Sequence, residues 1–67
     1  MKEFNMDTFN IWIQDNQDYS MITDKYVYVE RKSNDAITYC TKVLGMIMQE
    51  AWIIGNQVSI NEYSRLK

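Results

Sequence analysis

Sixty-seven residues allow one domain, and ordering them costs about 1.5 kcal/mol per residue, roughly 100 kcal/mol in all that packing must match. The chain has no histidine and a single cysteine, Cys40, so neither an intramolecular disulfide nor the usual zinc donor sets can stabilise it. Seven basic and nine acidic side chains give a net charge of −2, and the basic ones are scattered singly, a poor match to a phosphate backbone. No metal, cofactor or nucleic-acid partner is therefore expected.

The opening MKEFNMDTFNIW has neither an apolar signal core nor a small-residue cleavage site. With one unpaired thiol suiting a reducing compartment, Met1 is expected to be a true start and the protein cytoplasmic. The longest apolar run, around VLGMIM, is interrupted by Gln49 and Glu50, well short of the ~20 residues of a membrane span. Abundant Asn, Ile, Tyr and Met without proline is compatible with an AT-rich coding sequence, as in a phage or a low-GC bacterium.

In chain order, Phe9-Asn10-Ile11-Trp12-Ile13 alternates and predicts a half-buried strand. Gln14 to Ser20 collects turn-forming residues. Lys25 to Arg31, KYVYVER, alternates β-branched and aromatic side chains and predicts a second strand. Ser33 or Asn34 then caps a long apolar helix spanning 33–57, with Asp35 in its first turn and Gly55-Asn56 at its end. Val58 to Tyr63 alternates again as a third strand. The predicted fold class is α+β: a two-layer sandwich, β-β-α-β, with one helix on a three-stranded sheet.

Along the predicted helix, Ile37, Cys40, Leu44, Ile47, Ala51 and Ile54 recur at spacings of three and four, the stripe that would face the sheet. Ala36 and Val43 widen it on one side, and Gly45, Met48 and Trp52 on the other. Gly45 in a helix interior costs about 1 kcal/mol relative to Ala, which predicts close approach of a strand backbone there. Tyr39, Met46 and Ile53 recur at sevens on the outer side, either with Ile53 tucked against the last strand and Tyr39 and Met46 as scattered surface residues, or as a seam for a partner or a second copy. On the sheet, Trp12, Tyr26 and Tyr28 would stand on the face the helix leaves open. Two readings stand for them: cross-strand packing, or interface anchors of large area and low rotamer entropy.

Chemistry finds little purchase. Cys40 lies in the core stripe, where a buried thiol acts as a small hydrophobe. Asp15, Asp18 and Asp24 flank the first loop but lack the spacing and glycine of a calcium loop; they read as a solvated acidic loop able to steer a basic partner. The two glycines form no phosphate cradle. An enzyme is not expected.

The segment Ser20-Met21-Ile22-Thr23-Asp24-Lys25 leading into the second strand, the capped helix start after it, and the run into GNQVSINEY together resemble the Dmd antitoxin family of T4-like phages. The resemblance spans about Asp18 to Tyr63 in element order, with Ser-Met-Ile-Thr as its residue-level match, and it assigns no binding residue. It implies a very small intracellular protein that binds and blocks a bacterial endoribonuclease toxin. The expected function is thus a protein-binding module, a phage-type stoichiometric inhibitor of a host enzyme, with Trp12, Tyr26, Tyr28, Asp15 and Asp18, or Tyr39, Met46 and Ile53, as contact residues. The alternative is a structural homodimer or a subunit of a larger assembly, paired through Tyr39, Met46 and Ile53.

Overall fold

The computed structural model describes residues 3–16 and 22–66, and these form three α-helices: α1 (Met6–Asn16), α2 (Lys25–Lys42) and α3 (Met48–Leu66). The α+β expectation is overturned. Each segment read as a strand lies inside a helix: 9–13 in α1, 25–31 in α2 and 58–63 in α3, with no strand among the described residues.

The physical reason is that the same residues also satisfy the helical period. Phe9 and Ile13, the buried pair of α1, are four apart. On α2 the buried positions are Val29, Lys32, Ala36, Tyr39 and Cys40, and on α3 they are Ala51, Gly55, Val58 and Glu62. The α3 set and the α2 set as far as Tyr39, which Cys40 adjoins, alternate threes and fours, the seam of two helices packed along their length. The preference of KYVYV for extended structure is overridden by this packing, and Val27 and Tyr26 simply face outward.

Local signals start each helix. The Asn5 side chain accepts the Thr8 N–H at 3.1 Å and so caps α1. Asp24, with extended backbone, accepts the Val27 N–H at 3.1 Å and caps α2, nine or ten residues before the Ser33 or Asn34 cap expected from sequence.

The two glycines exchange the roles expected of them. Gly45 is not inside a helix: its φ of +70° lets the chain turn after α2, with Met46 N–H donating to the Cys40 carbonyl at 2.9 Å. The predicted helix 33–57 is therefore two helices meeting at a turn. Gly55 is not a helix end but a buried position within α3. A Cβ there would stand 2.6 Å from Ile37 Cγ1 and 3.2 Å from the Ser33 carbonyl oxygen. The Ser33 hydroxyl donates to the Gly55 carbonyl at 2.8 Å, so backbone and side chain meet where α2 and α3 touch.

Contacts between residues 28 and 65, 32 and 62, and 37 and 55 run in opposite senses along the two helices, so α2 and α3 form an antiparallel hairpin. Against one flank of it α1 places Phe9 and Ile13, closing a core with Ala36, Tyr39 and Val58. Phe4, Phe9, Trp12 and Tyr39 form a ring cluster there, with Phe9 and Tyr39 centroids 5.4 Å apart and Trp12 and Tyr39 centroids 5.3 Å apart.

Gly55→Ala is expected to lower stability by about 1–2 kcal/mol in denaturant unfolding, because overpacking at the crossing outweighs the helix propensity gained. An increase in stability would mean that the helices do not approach closely there. Gly45→Ala is expected to cost about 1 kcal/mol through backbone strain alone, since open space surrounds that Cβ position.

Candidate functional site

The hairpin buries a polar network. Lys32 on α2 and Glu62 on α3 pair at 2.8 Å with both side chains almost wholly out of solvent. The second Glu62 oxygen accepts from Arg65 at 2.7 Å, and Arg65 also donates to the Tyr28 hydroxyl at 3.3 Å. The Lys32 ammonium lies 5.8 Å from the Tyr28 ring centroid. Burial alone would raise the Glu62 carboxyl, but hydrogen bonds from Lys32 and Arg65, together with their charges, outweigh it and hold the group below the ordinary carboxylate range. Every buried side-chain nitrogen and oxygen among the described residues has a partner. The network is thus fully satisfied and knits α2 to α3.

The residues expected to bind a partner are dispersed by the helical fold. Trp12 lies half-buried on the aromatic cluster, not on an open sheet face. Tyr39 retains 3% of its surface and is a core residue. The outer seam of Tyr39, Met46 and Ile53 does not exist, since the turn at residues 43–47 separates its members: Met46 is half-buried in that turn and Ile53 lies exposed on α3. Tyr28 is half-buried beside Arg65, whereas Tyr26 is 63% exposed. Asp15 is exposed near the end of α1, Asp18 lies outside the described residues, and Asp24 serves as a cap. Cys40 is buried, and burial pushes its thiol up. Of the predicted core stripe, Cys40 and Ala51 are buried, while Ile47 is exposed in the turn before α3.

What the fold brings together instead is a groove between α2 and α3, on the flank away from Ala36 and Tyr39 and hence away from α1. It has a volume of about 190 Å³ and is lined by Tyr26, Val29, Glu30, Ser33, Ser59 and Tyr63 among others. Trp52, 55% exposed, shares a side of α3 with Ser59 and Tyr63 at spacings of seven and four. Trp52 was expected on a flank of the sheet-facing stripe and Tyr63 on a strand. Ala51, Gly55, Val58 and Glu62, had they been read as one seam, would have turned Trp52 and Tyr63 outward.

A second surface is the outer ridge of α3, where Ile53 is 65% and Ile60 58% exposed. Between Ala51 and Asn61 the chain carries no charged side chain. Among the described residues no helix is long and apolar enough to cross a membrane, and no cluster of His, Cys, Asp or Glu has the geometry to hold a metal ion. No protein-family model, curated protein or solved structure matches the chain.

Glu62→Gln is expected to cost about 3–5 kcal/mol, since it leaves the Lys32 charge buried without an anion, while Lys32→Met with Glu62→Leu should fall near the parent or above it. Comparable losses from both variants would show that apolar packing cannot replace the pair. The Glu62 carboxyl titrates lower when folded than when unfolded, so its stabilisation is complete above the unfolded value of about 4.3 and drains away as pH falls through the folded one. Acid unfolding of the parent should therefore show a carboxylate loss that the apolar double variant lacks; identical pH profiles would contradict this.

Proposed function

We propose that the chain is a protein-binding module acting by stoichiometric occlusion, with phage-type, antitoxin-like inhibition of a host endoribonuclease as its specific form. The observation that carries this reading is the α2–α3 groove. It is lined by Tyr26 and Tyr63 on the flank that α1 leaves open, and Trp52 lies further along the same side of α3; Tyr26 and Trp52 are both more than half exposed. Aromatic side chains of this kind bury large area with little rotamer entropy to lose, and they dominate interface energetics.

The partner's chemistry follows from the rim. Glu30 lines the groove and Asp15 is exposed elsewhere on the same net-negative chain. A basic partner surface is favoured, since opposite charge speeds the encounter and aromatic contact then slows release. An endoribonuclease has such a surface because it must hold an RNA backbone. Occlusion needs no nucleophile or proton carrier from the inhibitor, which suits a chain without histidine whose one cysteine is buried.

The test is capture from bacterial lysate with the immobilised parent, followed by identification of the bound protein and assay of its RNA cleavage. Tyr26→Ala and Trp52→Ala are each expected to weaken capture by about tenfold or more, as hot-spot truncations do, with helical circular dichroism unchanged. Equal capture by both variants would take the groove out of the account. Any captured nuclease should lose activity at a one-to-one ratio.

A further inference from the structure

We propose that two copies of this chain pair antiparallel through the outer ridge of α3, a contact separate from the groove. At 100° per residue Ile53 and Ile60 point about 180° away from the mean direction of Ala51, Gly55, Val58 and Glu62, so they stand at the crest of the helix. Both are more than half exposed, and their spacing of seven is that of one helix seam meeting another.

Three features single out a second copy as the occupant. Residues 51–61 contain no charge, so the ridge meets itself without like-charge repulsion and without burying an ion, and depletion of charge is the compositional mark of an interface centre. The ridge is also symmetric about the point between Asn56 and Gln57. A two-fold axis across α3 at that point sets Ile53 of each copy against Ile60 of the other and meets the isologous condition, in which each contact occurs twice. The same axis brings the exposed amides of Asn56 face to face. Each amide carries both donor and acceptor, so an identical pair satisfies itself. A basic or acidic partner would gain nothing from this uncharged crest.

The uncharged stretch 51–61 is about 16 Å of helix, a small contact patch, so the pairing is weak and concentration-dependent. The pairing leaves Tyr26 and Glu30 free, so the dimer carries two grooves.

Sedimentation equilibrium of the full chain from about 5 to 500 μM is expected to show monomer and dimer, and Ile53→Lys and Ile60→Lys are each expected to raise the dissociation constant more than tenfold with helicity unchanged. In a Cys40→Ser background, Asn56→Cys should form a disulfide-linked dimer under mild oxidation, whereas Gln14→Cys on α1 should not. A monomer throughout that range, or a dimer that both lysine variants leave intact, overturns the proposal. The groove reading fails separately, through Tyr26→Ala and Trp52→Ala capture, so loss of one does not carry the other with it.

Discussion

The close approach of α2 and α3 at Gly55 is the constraint on which the rest of the molecule depends. With no Cβ at that position, the Ser33 hydroxyl reaches the Gly55 carbonyl and Ile37 lies over the gap. Small side chains continue the seam on both helices, with Ala36 and Cys40 on one and Ala51 on the other, all buried. A chain this short has little surface to bury, and packing two long helices at short range is the way it can match the entropy of ordering.

That proximity decides the fate of the charged residues. Lys32 and Glu62 lie one on each side of the seam, almost wholly out of solvent, and pair there. Arg65 and Tyr28 complete the set at the open end of the hairpin. A buried pair of this kind adds little net stability over apolar packing, but it penalises any sliding of α3 along α2, because a slipped register strands both charges. Gly55 and the ion pair thus fix the same alignment from two places, one by shape and one by charge. The first helix is held differently, by the rings of Phe4, Phe9, Trp12 and Tyr39 on a single flank, and the opposite flank is left as the groove.

Part of this was legible in the residues. The burial of Cys40 and Ala51 and a helix through residues 33–42 and 48–57 follow from spacing, whereas the exposure of Tyr26 was expected on a sheet face that does not exist. The fold class did not, because KYVYVER and VSINEY satisfy a period of two and a period of 3.6 at once, and the deciding partner residues, Lys32 and Glu62, are charged and so counted against a core position. Charged residues go inside only in pairs, and a pair thirty positions apart leaves no local trace. The glycines misled for a related reason: both a turn and a tight helix crossing call for glycine, and only the packing of α2 on α3 tells Gly45 from Gly55. Once the helix divides at Gly45, the expected seam of Tyr39, Met46 and Ile53 divides with it. The resemblance to an antitoxin family leaned on an element order with strands at residues 25–31 and 58–63, segments that are helical here.

The surfaces left uncovered follow from the same geometry. One short helix can shield one flank of a hairpin, so the other flank and the outer ridge of α3 stay open, and with them Tyr26, Trp52, Ile53 and Ile60. The central claim is the contact that creates this arrangement, and nuclear Overhauser spectroscopy on the labelled chain reads it directly. The account predicts a strong cross-peak between the Gly55 α-protons and the Ile37 side chain, with sequential amide–amide contacts running through residues 25–42 and 48–66. Absence of the Gly55–Ile37 peak, or cross-strand α-proton contacts between residues 25–31 and 58–63, would contradict it.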